Sequence, residues 1–224
     1  MMTDSFNADA FHSELTASLS NVLAGAPGTA LTQAVERTAA AAALVCQGRP
    51  MACAAGCPHC CVLNVAVLVP EAMIIADWMK ERLSPEEMAA ARERLAYHRV
   101  WGRWMDDEER IAKHEVCPML NGEGSCLIHP VRPIVCRAVT SLDSTTCRDA
   151  LRPGVNEEAP LVLADLLRRM VFDTAFLSLA EALQAHGYDS RSIDIGVGVL
   201  AFLEHPENGE MVLNRGKLPA GLWR

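Results

Sequence analysis

Cys53-Ala-Ala-Gly-Cys57-Pro-His-Cys60-Cys61 carries four thiols within nine residues. A second block, Cys117 to Cys147, supplies four more with the spacing C-x8-C-x9-C-x10-C. Both blocks are rich in glycine and proline and lack the apolar periodicity of a helix. We therefore expect two irregular loops whose shape depends on ligands bound to the thiols. The candidate ligands are Cys53, Cys57, Cys60, Cys61, Cys117, Cys126, Cys136 and Cys147.

Two ordinary explanations for the cysteines are disfavoured. A set of buried free thiols is common in helical proteins, but these eight lie in loops, where packing pressure is weakest. A disulfide framework requires an oxidising compartment, whereas Met1 to Ala10 carries Asp4 and Asp9 where a secretory signal would carry basic residues. A cytoplasmic location is expected. The ninth cysteine, Cys46, ends an apolar helical stretch and is predicted to be a buried thiol.

Cysteines two or three residues apart in an irregular loop can converge on one metal ion, with each sulfur about 2.3 Å away. The sequence therefore predicts a metal-binding protein that carries zinc or an iron–sulfur cluster. The adjacent side chains of Cys60 and Cys61 are expected to diverge, so they serve two centres or one of them bridges. Eight thiols complete two four-ligand sites, or one cluster with four thiols left over, and the sequence leaves this pairing open.

Histidines and arginines near the cysteines are further candidates. His59 lies inside the first block, and His114 and His129 flank parts of the second, as ligands or as solvated loop residues. Arg132 and Arg137 bracket Cys136, where they either offset thiolate charge or cap a short helix. Both alternatives stay open for each residue.

Outside these loops, the sequence predicts helices. Helices are predicted at Ala10 to Leu23 and Leu31 to Val45, with the break at Gly25, Pro27 and Gly28, and again from Pro70. A capping box at Ser84 to Glu87 starts a helix toward Ile111, with Trp101 and Trp104 expected in the core. Further helices are predicted at Ile134 to Ala138, Leu161 to Gln184 and Ser192 to Leu203, with Ser141 and Ser144 to Thr146 as turn residues.

The predicted fold class is mainly α: a helical domain with irregular cysteine-rich metal-binding loops and no useful alternating strand pattern. One domain is expected over residues 1–224, with a cysteine-cluster core at about 46–150. Helical segments at 6–46 and 158–205 are expected to pack on this core. A chain of 224 residues with 50% hydrophobic content can bury a core without disulfides.

Charge and hydropathy exclude two classes of partner. A net charge of −8 and a pI near 5.4 leave no basic surface for nucleic acid. The most apolar long segment, Ala159 to Ala185, is interrupted by five charged residues, which favours a core helix over a membrane span. The expected partner is therefore a metal ion or cluster, with neither nucleic acid nor membrane.

The two cysteine blocks resemble a known family. The first block, together with Cys117-Pro-Met-Leu, Cys126-Leu-Ile-His and Arg132-Pro-Ile-Val-Cys136-Arg, is similar to the YkgJ-type cysteine-cluster family, also called the CxxCxxCC zinc- or iron-chelating domain. The resemblance implies that the first seven candidates bind metal, with Cys147 as the eighth ligand. The sequence departs from the family in the three-residue gap after Cys53 and in His129, where an aromatic residue is expected.

The cysteine pattern and the family resemblance are consistent with three functions. The first is a metal-binding protein whose loops fold around zinc or an iron–sulfur cluster, with a slight preference for the cluster because multi-cysteine loops suit cluster edges. The second is an iron–sulfur enzyme for electron transfer or protein modification, because flagellin lysine methylases look similar in their cysteine pattern. The third is a metal or redox sensor that uses spare thiols.

Overall fold

The structure, a computed structural model, describes residues 6–152 and 160–223. Within these residues the chain forms ten α-helices and one two-stranded sheet, so the predicted mainly α class is confirmed. The helices are α1 (Ala8–Leu23), α2 (Pro27–Val45), α3 (Val69–Arg82), α4 (Pro85–Val100), α5 (Asp107–Lys113), α6 (Ile134–Ala138), α7 (Ser144–Ala150), α8 (Leu166–Ala185), α9 (Ile195–Glu204) and α10 (Glu207–Leu213). The strands are β1 (Ala66–Leu68) and β2 (Ser192–Asp194).

Helices α1, α2 and α8 pack against one another and form one side of the core. Helix α1 buries Leu15, Leu19 and Leu23, which recur at the four-residue spacing of a helix face. Helix α2 is rich in alanine, and its buried Ala34 and Ala42 let neighbouring helices approach closely. This helical layer supports the cysteine region, because α6 packs directly on α8.

Helices α3 and α4 pack on α9, which forms the other side of the core. Every residue of α9 from Ile195 to Leu203 is buried, as expected for a helix that is apolar all round. Gly198 permits the contact with α3, because a Cβ atom there would lie 3.0 Å from the Cβ of Ala72 and 2.7 Å from Ile193.

The two strands pair antiparallel, with Ala66 opposite Asp194 and Leu68 opposite Ser192. The backbone N–H of Ile195 extends the pairing by donating to the carbonyl of Val65 at 3.0 Å. The sequence did not indicate this sheet, because three residues per strand are too few to show alternation. The sheet holds the end of the first cysteine block against the start of α9.

The long helix predicted from Ser84 toward Ile111 is wrong beyond Val100. Its start is confirmed, because Ser84 and Glu87 form the expected reciprocal capping box. After α4 the chain turns at Gly102, which lies so close to His98 that a Cβ would be 2.4 Å from the imidazole Nδ1. Trp101 and Trp104 consequently leave the helical register and are 60% and 62% exposed, so their predicted core position is also wrong.

Other predicted boundaries differ by a few residues. Helix α2 already starts at Pro27, so the break lies before that proline, which takes the first helical position. The residues predicted as turns after Asp143 form α7, because the Asp143 carboxylate caps its first turn by accepting from the Thr145 N–H at 2.8 Å. Helix α8 begins at Leu166, and residues 158 and 159 of the predicted C-terminal segment lie outside the described residues. Across the described parts of the chain, no helix is both long and apolar enough to cross a membrane.

Candidate metal centre

Backbone hydrogen bonds hold the two cysteine blocks against each other. The first block ends in a 3₁₀ turn, His59–Val62, just before β1. The N–H of Cys117 donates to the carbonyl of Cys61 at 2.6 Å, so the blocks meet although α3, α4 and α5 separate them in sequence. Residues 117 to 127 fold back on themselves, since the Leu127 N–H donates to the Met119 carbonyl at 2.9 Å.

Seven of the eight predicted thiol ligands line one cavity of about 390 Å³. They are Cys53, Cys57, Cys60, Cys61, Cys117, Cys126 and Cys136. Cys147, on α7, is buried next to this cavity and lies within electrostatic range of Cys53. Cys46 is only 3% exposed and packs in the apolar core, as predicted. The structure therefore brings together the loops that the sequence singled out and keeps Cys46 apart.

Backbone N–H groups lower the pKa of several of these thiols. The N–H of Ser141 donates to Cys53 Sγ at 3.3 Å. The N–H groups of Met119 and Ile128 act in the same direction on the pKa of Cys117 and Cys126, and each partly offsets the effect of burial. Hydrogen bonds of this kind favour the ionised form of an acidic group, so they suit thiolates that bind a metal cation.

Burial nevertheless favours the protonated form of four of the metal-free thiols. It raises the pKa of the Cys117 thiol to about 12 and also raises the pKa of Cys53, Cys126 and Cys136. Neighbouring thiols add to the shift in each case, because one thiolate repels the next. A bound cation would reverse this repulsion, and metal binding would release protons.

The vicinal cysteines Cys60 and Cys61 both lie in the 3₁₀ turn, and their thiols act on each other. The interaction with Cys61 lowers the pKa of Cys60 to about 7, and the interaction with Cys60 raises the pKa of Cys61. Desolvation opposes the shift at Cys60 and adds to it at Cys61.

The two arginines that bracket Cys136 make different contacts in the structure. Arg132 lines the cavity, and its positive charge acts on Cys60 and Cys126. Arg137 instead donates to the backbone carbonyls of Arg132 at 2.9 Å and Pro130 at 3.3 Å. Arg132 therefore fits the electrostatic alternative, and Arg137 fits the alternative of a residue that holds the short helix.

The three histidines are also separated. His129 lines the thiol cavity together with Arg132. His59 and His114 line a different cleft, bordered by Gly122 and Arg152, and lie away from the lining of the thiol cavity. Burial lowers the pKa of His129, and the charges of Arg132 and Arg137 lower it further, so this imidazole favours its neutral form.

Glu71 is a residue of the site that the sequence did not reveal. Its side chain is 1% exposed, and its carboxylate accepts from the N–H of Leu68 at 3.0 Å and of Ile134 at 2.9 Å. Ile134 is the first residue of α6, which carries Cys136. Burial raises the pKa of Glu71, while the two N–H donors act against that shift. The hydrogen bond with Leu68 follows from a local capping pattern. No local pattern predicts the hydrogen bond with Ile134, which lies 63 residues further along the chain.

The donor set fits a thiophilic metal, because thiolate ligands suit zinc and iron–sulfur clusters. The thiols surround a space and do not converge on a point. Within residues 6–152 and 160–223, no three His, Cys, Asp or Glu side chains are arranged to hold one metal ion directly. The site is therefore a ring of candidate ligands around a cavity, without formed coordination geometry.

Comparison with known proteins agrees with this chemistry. Residues 52–153 match the model of the CxxCxxCC family, which is described as a putative zinc- or iron-chelating domain. The matched segment contains both cysteine blocks, so the predicted resemblance is confirmed for that part of the chain. Zinc and iron are the metals of that description, in agreement with the predicted cofactors. No curated protein and no solved structure matches the chain.

Proposed function

We propose that this protein binds metal through the eight cysteines of its two loop blocks, as an iron–sulfur cluster, as zinc, or as both. The observation that supports this proposal is the lining of one cavity by seven of the eight thiols. Free thiols rarely gather in irregular loops, where each ordered residue costs about 1–2 kcal/mol of backbone entropy. Metal coordination offsets that cost.

The volume of the cavity favours an iron–sulfur cluster over zinc alone. A structural zinc site is closed, because four thiolates at about 2.3 Å leave no space around the ion. The thiols line a cavity of about 390 Å³ that extends to Asn64, Asp173 and Phe176, and such a cavity can hold a group of several atoms. The cluster also agrees with the N–H···S hydrogen bond from Ser141 to Cys53, because hydrogen bonds to the sulfurs tune the reduction potential of such centres.

We also propose that the metal loops and the helices form a single domain. The supporting contacts are those of α6 with α8, of α8 with α1 and α2, and of the sheet with α9. These contacts link the segments at 6–46 and from residue 160 onward to the cysteine region. Limited proteolysis that releases a stable helical fragment from the metal-loaded protein would contradict this arrangement.

The test is to purify the full chain with and without oxygen and to measure zinc, iron and acid-labile sulfide per chain. An iron–sulfur centre predicts a brown protein with broad visible absorption that bleaches in air, and zinc–thiolate predicts a colourless one. Cys57→Ala and Cys136→Ala should each lose metal, whereas Cys46→Ala should keep all of it. Wild-type protein without zinc or iron, or equal loss from all three variants, would refute the proposal.

A further inference from the structure

The cleft that contains His59 and His114 has a volume of about 410 Å³, and all its ionisable side chains are basic. Three arginines line it, namely Arg94, Arg148 and Arg152. Among the residues that the structure describes, no carboxylate belongs to the lining. The chain as a whole carries a net charge of −8, so this arginine cleft differs in charge from the average surface. A cleft lined by charges of one sign attracts ions of the opposite sign.

Segments that are distant in the chain build the arginine cleft. Arg94 lies on α4, Arg148 lies on α7, and His114 follows the last residue of α5. Helix α7 packs on the 3₁₀ turn that begins at His59 and so closes one side. None of these positions lies in a run of basic residues, so the cleft depends on the fold.

The backbone of His114 has an uncommon conformation for a residue with a side chain. It ends α5 with φ 53 and ψ 42, in the left-handed region where glycine is the residue found most often at helix ends. The next residue fixes the turn, because the Glu115 N–H donates to the Arg110 carbonyl at 2.8 Å. Residues other than glycine in this region are concentrated at ligand-binding sites. His114 therefore supports a binding role for the cleft.

Two of the three guanidinium groups keep free donors. Arg94 donates from Nε to the Pro118 carbonyl at 3.2 Å, and its terminal amino groups have no acceptor among the described residues. Arg152 forms no ion pair within the described parts of the chain. Arg148 pairs with its neighbour Asp149 at 3.1 Å. Three guanidinium charges and one carboxylate charge leave an excess of two positive charges.

The excess charge and the apolar part of the lining define the class of ligand. A phosphate monoester carries about 1.5–2 negative charges at pH 7, which matches the excess, whereas a monocarboxylate carries only one. Guanidinium groups also bind phosphate oxygens through two parallel hydrogen bonds. The volume lies in the range of about 300–1,000 Å³ that is common for small-molecule sites. Apolar contacts for a carbon skeleton are available from Val62, Val116, Leu120 and Leu151.

We propose that the arginine cleft binds a small organic phosphate. The phosphate group contacts the guanidinium groups of Arg94, Arg148 and Arg152, and the carbon skeleton packs on the apolar side chains of the lining. This site goes beyond the metal-binding function, because none of its lining residues is one of the eight candidate thiol ligands.

Isothermal titration calorimetry of the full chain with phenyl phosphate tests the proposal. We expect saturable binding that weakens in about 0.5 M NaCl, since salt screens exposed charges. Arg148→Gln and Arg152→Gln replace exposed side chains and should each weaken binding about tenfold. Asp149→Asn should strengthen binding about two- to fivefold, because it removes the carboxylate that competes for Arg148.

Arg82→Gln is the matched control, because Arg82 is an exposed arginine at the end of α3 and lies outside the cleft. It should bind phenyl phosphate as wild type does, and circular dichroism should show the same helix content in every variant. Wild-type protein that does not bind phenyl phosphate would overturn the proposal. Equal losses of affinity in Arg82→Gln and Arg152→Gln would overturn it too.

Benzoate distinguishes a phosphate site from a general anion site. It has the same ring as phenyl phosphate but one negative charge, so it should bind about tenfold more weakly. Equal affinity for the two compounds would contradict the assignment of phosphate. Weaker binding of phenyl phosphate to Asp149→Asn than to wild type would contradict the contact with Arg148.

Discussion

The carboxylate of Glu71 accepts a hydrogen bond at 2.9 Å from the backbone N–H of Ile134, and so joins the start of α3 to the start of α6. Its other oxygen accepts from the Leu68 N–H. Both partners are donors, so the buried site needs two acceptor atoms. A carboxylate supplies two, whereas a glutamine amide supplies one acceptor and one donor.

Glu71→Gln should therefore lower the free energy of unfolding of the metal-free protein by about 1–3 kcal/mol, the usual cost of a buried polar group without a partner. Urea denaturation followed by circular dichroism measures the change. Glu87→Gln is the matched control, because Glu87 occupies the same capping position on α4 and is exposed. Equal losses in the two variants would show that the contact with Ile134 contributes nothing.

Two helical glycines differ in the space around them. A Cβ atom on Gly196 would lie 2.4 Å from the His98 imidazole and 3.2 Å from the Pro118 ring, whereas one on Gly209 would meet none of the described atoms within 4 Å. Gly196→Ala should destabilise the protein by about 1–3 kcal/mol through overpacking. Gly209→Ala should stabilise it by about 0.5–1 kcal/mol, because alanine is the better helix former. Thermal denaturation of both variants measures the two changes in stability. Changes of the same sign in both variants would contradict the prediction.

Asp189 should make stability depend on pH. Its fully buried carboxylate accepts from the Arg191 guanidinium at 2.8 and 2.7 Å and from the Leu218 N–H at 2.9 Å. Burial alone would raise the pKa of Asp189, but these hydrogen bonds outweigh it and lower the pKa below its ordinary value of 3.8. The contribution of the Asp189 carboxylate to the free energy of unfolding is therefore present above about pH 4 and is lost as the pH falls through its folded-state pKa.

Asp189→Asn should accordingly be less stable than wild type at neutral pH, and the difference should narrow below about pH 4. Urea midpoints measured across that pH range test this sign. Asp77→Asn, which removes a 56% exposed carboxylate paired with Lys80, should show no comparable narrowing. A difference in stability between wild type and Asp189→Asn that increases in acid would contradict the lowered pKa of Asp189.

Metal removal should loosen the loops and spare the helices. The segment Cys53 to Cys61 contains one 3₁₀ turn, and Cys117 to Cys147 contains no helix longer than the short α6 and α7, so coordination should add to the order of both. Helices α1, α2 and α8 pack on one another through their own apolar faces. Hydrogen exchange on apo and metal-loaded protein should therefore show lost protection mainly in the two segments. Identical exchange in both states would make the site peripheral to folding.

The sequence predicted those features whose signals are local. The capping box at Ser84, the burial of Cys46 and the meeting of the two cysteine blocks follow from short patterns and from thiol chemistry. The exposure of Trp101 and Trp104 could not be predicted, because it depends on the close contact of Gly102 with His98. The carboxylate of Glu71 and the pairing of β1 with β2 were missed for the same reason, since each depends on partners distant in the chain.

The antiparallel pairing of Ala66 with Asp194 also sets an order of events during synthesis of the chain. The thiols of the first block leave the ribosome before Cys147 and well before β2. At about 5–20 residues per second, the nascent chain waits on the order of ten seconds between the first block and the strand that fixes its end. During that interval the thiols of Cys60 and Cys61 are more exposed to solvent than in the folded protein. They should therefore be oxidised more readily in the nascent chain than in the folded protein.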